Sequence, residues 1–160
     1  MTGVNAVSSP SPDGRAAGFD PLAPEIAKRW SNFLAWDDRM YFPQLIGLEV
    51  EELRMDYARL RLPWREENTQ PAGIIHGGAI ATIIDSVVVP AIGVAYDGDM
   101  AYSTIDLAVQ YLRPLASDAV GEGWVVKRGR SIVFTQAEVF DDQGRTVALG
   151  TATYAVKKLG

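Results

Sequence analysis

The run Gly77–Ala95 is apolar on nearly every side at helical spacing, with one carboxylate, Asp85, near its centre. A helix without a polar face has to be enclosed by protein, so the rest of the chain must be built around it. A membrane span is the rival reading. Asp85 argues against it, at a cost of about 2.5–3.5 kcal/mol near a bilayer centre. Pro90 adds a defect, because it cannot donate to the Ser86 carbonyl and would kink or loosen the helix. The expectation is a buried helix ended by Asp97-Gly98-Asp99.

The flanking segments supply the enclosure. Gly47–Arg54 and Asp56–Pro63 read as strands. In the second, Ala58, Leu60 and Leu62 alternate with Tyr57, Arg59 and Arg61, which predicts one buried and one wet face. A polar connection, 64–75, precedes the helix. Four more strands are predicted after it: Ala101–Leu112, Ala119–Arg128, Ser131–Asp141 and Arg145–Val156, with Gly129 between the second and third. Asp141-Asp142-Gln143-Gly144 forms a hairpin turn between the last two. Upstream, Ile26, Trp30, Phe33 and Leu34 recur at helical spacing behind Pro24, giving a short N-terminal helix against which Trp30 and Trp36 pack. Residues 1–18, rich in Ser, Pro, Gly and Ala, read as a flexible tail, and 19–160 as one domain. The order implies an α+β fold in which a mostly antiparallel sheet curls around one helix.

Composition removes several functions. The chain has no cysteine and a single histidine, His76, so disulfides, thiolate metal sites, cysteine nucleophiles and multi-histidine metal centres are excluded. A net charge of −5 argues against general nucleic-acid binding, though not against a local basic pocket. Nothing suggests export, so a cytoplasmic location is expected.

The residues that remain concentrate where the helix begins. His76 is followed by Gly77 and Gly78, which allow close approach to the first helical amides. Gly78 lies two turns from Asp85 on nearly the same face, with Ala81 and Thr82 between. This small-residue stripe would admit a slender substrate beside the helix, with a carbonyl or anion held at the N-terminus. The plainer alternative is a hydrogen-bonded buried Asp, with glycines present only for packing.

The run Gln70-Pro71-Ala72-Gly73-Ile74-Ile75-His76-Gly77-Gly78, with Asp85-Ser86 beyond it, resembles the signature of hotdog-fold acyl-CoA thioesterases of the phenylacetic-acid-degradation and 4-hydroxybenzoyl-CoA types. The segments Thr104–Pro114 and Val126–Arg130 are similar to that family's third strand and strand-connecting turn. The resemblance spans Leu45–Val156. It implies a six-stranded antiparallel sheet wrapped around a central helix, here with an extra N-terminal helix. Two subunits would share the site in a homodimer or a dimer of dimers, acting on acyl-CoA with no metal or redox cofactor.

Carried over residue by residue, the resemblance gives Gly77 the role of offering its N–H to the thioester carbonyl, aided by the helix dipole. Asp85 becomes a general base on water or a direct nucleophile. His76 either orders the turn or touches substrate. Related sequences carry Asn six residues before the histidine; here Gln70 stands there, one methylene longer, and is preferred to the out-of-step Asn68. Thr104 matches a hydroxyl position near the nucleophile. Strand parity groups it with Asp106 and Gln110, opposite Ile105, Leu107, Val109 and Tyr111. The apolar row is expected to face its own helix, so that Thr104 serves a partner's site, or a bulge re-aims it, or it is an ordinary strand threonine. Arg128, Gly129 and Arg130, with Lys127, form a basic turn suited to coenzyme A phosphates, or a solvated loop. Two other readings are a non-catalytic acyl-CoA-binding module and a hotdog hydratase or dehydratase, whose different histidine motif is absent.

Overall fold

The computed structural model describes residues 14–34, 37, 39–96 and 99–159. Its elements in chain order are α1 (Pro24–Trp30), α2 (Phe42–Leu45), β1 (Glu49–Arg54), β2 (Tyr57–Leu62), α3 (Gly77–Gly93), β3 (Met100–Tyr111), β4 (Ala119–Arg128), β5 (Ile132–Asp141) and β6 (Thr146–Lys158). The strands form one antiparallel sheet in the order β1-β2-β4-β5-β6-β3. The chain leaves β2 near one edge, runs through α3, and returns as β3 at the opposite edge.

The apolar run is indeed the enclosed helix. Ile83, Ile84, Val87, Val88, Ala91 and Ile92 are fully buried. The sheet meets α3 so closely because glycines take the places where side chains would stand. A Cβ on Gly121 would lie 2.8 Å from Ile83, and one on Gly123 2.7 Å from Val87 and 2.9 Å from Val88. On β6, a Cβ on Gly150 would collide with Ile84. Gly123→Ala is therefore expected to destabilise the fold by about 1–3 kcal/mol through overpacking, outweighing alanine's strand preference of about 0.5–1 kcal/mol. Thermal denaturation should show Tm lower by several degrees. An unchanged Tm would mean that the helix yields at this point.

The remaining elements fall within a few residues of their predicted bounds, and α2 is additional. On β2, Ala58, Leu60 and Leu62 are fully buried as the alternation requires, but so is Tyr57, which was expected to be wet. The cause is the N-terminal segment. Phe19 stacks on the Tyr57 ring at 5.1 Å, and Met55 N–H donates to Asp20 O. Residues 15–18, assigned from sequence to a flexible tail, form a 3₁₀ turn. There Ala16 is buried, and the Arg15 guanidinium lies over Trp124 and pairs with Glu138. Residues 1–13, Trp36 and the Asp97-Gly98 part of the predicted helix stop lie outside the described residues. Trp30 is buried against α3, where any side chain at Gly93 would overlap its indole. No described helix is long and apolar enough to cross a membrane.

β3 breaks its own alternation. Thr104 pairs with Tyr154 and Asp106 with Thr153, so Ile105 is an extra residue with no partner on β6. Before this bulge the even-numbered residues share a face with inward-facing Tyr154 and Val156; after it the odd-numbered Leu107, Val109 and Tyr111 do. The other edge of β3 carries no strand among the described residues, and Ile105, Tyr111 and Leu112 are exposed along it.

Candidate functional site

The first turn of α3 distributes its amides unequally. His76 is the N-cap, and its Nδ1 accepts the Gly78 N–H at 2.8 Å. Its carbonyl accepts Ala79 N–H at 2.9 Å. The Gly77 N–H has no helical carbonyl within its reach, as at every helix start. With Nδ1 accepting, the ring's N–H donor is Nε2. His76 is itself held by its N–H, which donates to Asn68 O at 2.8 Å.

Gly77 opens onto a cavity of about 400 Å³ that is also lined by Gln70, Ile75, Ile80, Tyr111 and Leu115. Gln70 sits in a tight turn closed by Gly73 at φ +76°, and its Oε1 accepts Ala72 N–H at 3.3 Å. Asn68 is spent differently. It is buried, and its amide donates to Ile46 O at 2.7 Å. Tyr111 donates to Gly77 O at 2.9 Å, and a Cβ added to Gly77 would meet the phenol at 3.3 Å.

Asp85 lies eight residues further along, about 12 Å down the helix axis. It is half-buried on the stripe of Gly78, Ala81 and Thr82. The Thr82 hydroxyl donates to Gly78 O at 2.8 Å, which leaves its oxygen as an acceptor beside the stripe. Thr104 donates to Asp85 Oδ1 at 3.0 Å, so the bulge turns Thr104 toward the helix of its own chain. The expectation that Ile105 would face the helix is corrected: Ile105 is the bulged residue and is 57% exposed.

A second hydroxyl on the same carboxylate was not anticipated. Tyr154 Oη lies 2.5 Å from Asp85 Oδ1 and 2.7 Å from Asp85 O. Burial, with the bond to Asp85 adding to it, raises the phenol's ionisation well above the ordinary tyrosine range, so it stays a donor. Its one signal in the sequence was parity. Tyr154 shares the inward face of β6 with Ala148, Gly150 and Ala152.

The basic turn lies at the other end of α3. Arg128 is committed within the fold: it pairs with Asp56, donates to Ile92 O at 3.1 Å and lies over the Tyr96 ring. Gly129 closes the turn by donating to Ile132 O at 2.8 Å. Lys127 and Arg130 are exposed. No group of three or more His, Cys, Asp or Glu among the described residues is placed to hold a metal ion.

Residues 72–148 match the thioesterase superfamily. A Halobacterium salinarum protein provisionally named an esterase is 34% identical over 122 residues, covering 69% of this chain and 81% of that protein. Human acyl-coenzyme A thioesterase 13 is 31% identical over 91 residues, covering 55% of this chain and 64% of that protein. In three dimensions, a thioesterase family protein from Silicibacter pomeroyi superimposes with a TM-score of 0.75 at 24% identity, covering 84% of this chain and 99% of that one, a likeness of fold.

Proposed function

Because the chain belongs to the thioesterase superfamily, we propose that this hydrolase cleaves acyl-CoA thioesters with Asp85 as the reactive carboxylate and the Gly77 N–H as the donor to the carbonyl oxygen. The observation that carries the reading is the ordered, half-buried Asp85, whose Oδ1 is held by Thr104, in a chain that also opens the partnerless Gly77 N–H onto a cavity. A pure binding module would gain little from a buried carboxylate beside a thioester.

Asp85 supplies an electron pair. As general base it takes a proton from water while the water oxygen bonds to the carbonyl carbon. The oxyanion that forms sits at the Gly77 N–H. The C–S bond then breaks, the free acid is released, and the proton passes to the coenzyme A sulfur. As nucleophile it bonds to the carbonyl carbon itself, the C–S bond breaks and coenzyme A leaves as the thiolate, and water then cleaves the mixed anhydride, restoring the Asp85 carboxylate and giving up the proton that neutralises the thiolate. Label found in Asp85 after multiple turnovers in ¹⁸O-labelled water identifies the nucleophilic route with water opening the anhydride at the Asp85 carbon, which general-base catalysis never does. Neither route needs a metal or redox cofactor.

The distance along α3 bears on assembly. A thioester whose carbonyl oxygen sits at Gly77 is too far from Asp85 of the same chain, about 12 Å along the axis, for direct attack. A second copy with its helix running the opposite way would bring its own Asp85 to Gly77. The unpaired, apolar edge of β3 gives that copy a surface. The proposed enzyme is therefore a homodimer, or a dimer of dimers, with Gln70, His76 and Gly77 from one chain and Asp85 from the other.

The test is a thiol-release assay over a panel of aryl-, phenylacetyl- and fatty acyl-CoAs; no hydrolysis of any would overturn the reading. The turn supplies a further expected result. With Arg128 committed to Asp56, phosphate binding falls to Lys127 and Arg130. Replacing both with Ala should raise KM several-fold, leave kcat nearly unchanged and flatten the salt dependence of kcat/KM. If KM and salt response stay as in the wild type, the turn is only solvated surface.

A further inference from the structure

We propose that Tyr154 is a positioning residue that holds Asp85 by Oδ1 and so reserves Oδ2 for the chemistry. The inference rests on Asp85 being the reactive carboxylate and adds which of its oxygens reacts and what decides this. Tyr154 is 2% exposed, so water does not compete for its hydroxyl. Its proton has two acceptors within reach, Asp85 Oδ1 at 2.5 Å and Asp85 O at 2.7 Å. The carboxylate oxygen takes it, because a bond to a charged acceptor is about twice as strong as one to a neutral carbonyl. Thr104 adds a second donor to the same oxygen at 3.0 Å from the opposite side of the strand pair, since Thr104 and Tyr154 face each other across β3 and β6. Oδ2 receives no protein donor among the described residues.

The choice of phenol is informative. A phenylalanine would fill the same space between Ala152 and Val156, and a buried hydroxyl is unfavourable unless it is bonded. Here the hydroxyl touches the one carboxylate on α3 and that residue's own carbonyl. The two donors also limit rotation about the side chain's last torsion, which would otherwise exchange the two oxygens. The same oxygen, Oδ2, is thereby kept for the reaction from one turnover to the next.

The test compares Tyr154→Phe, Thr104→Val and Asp85→Asn with the wild-type enzyme, using a hydrolysed acyl-CoA from the panel and measuring kcat and KM per folded site. Tyr154→Phe should lower kcat about tenfold, the equivalent of one hydrogen bond to a charged group, with KM within about twofold. Thr104→Val should lower kcat in the same way and less. A purely structural role would lower the amount of folded enzyme and leave kcat per folded site unchanged. Wild-type kcat per folded site in Tyr154→Phe overturns the proposal even if Asp85→Asn is inactive. If Asp85→Asn turns over at the wild-type rate, the reading of Asp85 falls, and this proposal with it.

Discussion

Asp85→Asn is expected to lose at least about a hundredfold in kcat while remaining folded, the lower bound for removing a general base. Asparagine keeps the volume and can still accept from Thr104 and Tyr154 through its carbonyl oxygen, so the hydrogen bonds at 3.0 and 2.5 Å have a substitute. The variant's amide cannot take a proton from water or attack a carbonyl carbon. Circular dichroism and thermal denaturation report the fold, and thiol release reports turnover. Turnover near wild type in a folded variant would remove Asp85 from the chemistry.

Pairing that variant with a lesion at Gly77 should restore activity in the mixture. Gly77→Val puts bulk where the thioester carbonyl would sit, and the nearest wall, the Tyr111 phenol, is only 3.3 Å from the first added carbon. Alone it should cost on the order of 10²–10³ in kcat, as loss of an oxyanion donor does. If Gly77 of one chain works with Asp85 of the partner subunit, a mixed dimer contains one doubly damaged site and one intact site. Random exchange at equal concentrations then gives about a quarter of wild-type activity. Mass spectrometry of differently labelled chains verifies the exchange. Full exchange without recovered activity means that each chain holds a complete site. A monomer at assay concentration would exclude a shared one.

The sequence carried the architecture well because its strongest signal was also its strongest constraint. A helix apolar on all sides dictates a wrapper, and six segments with strand character were there to form it. The site was legible where chemistry and spacing coincide. Gly78, Ala81, Thr82 and Asp85 share a face because helical periodicity is rigid. It was less legible where long-range contacts assign a residue's work. Arg128 looked like its neighbours, yet Asp56, seventy-two residues away in sequence, claims its guanidinium. Asn68 and Gln70 could not be separated by type, since only the fold shows that Asn68 is buried against Ile46 O while Gln70 lines the cavity at Gly77. Tyr154 was hidden for the opposite reason: an inward tyrosine reads as core until its hydroxyl has an address. The glycines of β4 and β6 were equally silent, because a missing side chain reveals its purpose only when the helix that needs the room is in place.

The extra residue at Ile105 has a consequence for how the chain can vary. It works as a phase change in β3, and what it contributes is length rather than a particular side chain. Within its own chain, any residue at position 105 keeps Thr104 on Asp85 and Tyr111 on Gly77, while the exposed Ile105 side chain belongs to the edge proposed for the second copy. Deleting it is another matter. With alternation restored, the half of the strand that addresses the carboxylate and the half that addresses the helix start can no longer face inward together. Registering either with β6 turns the other outward. Between Thr104 and Tyr111 the spacing is itself a requirement of the site, which a one-residue deletion breaks even where every remaining side chain is kept.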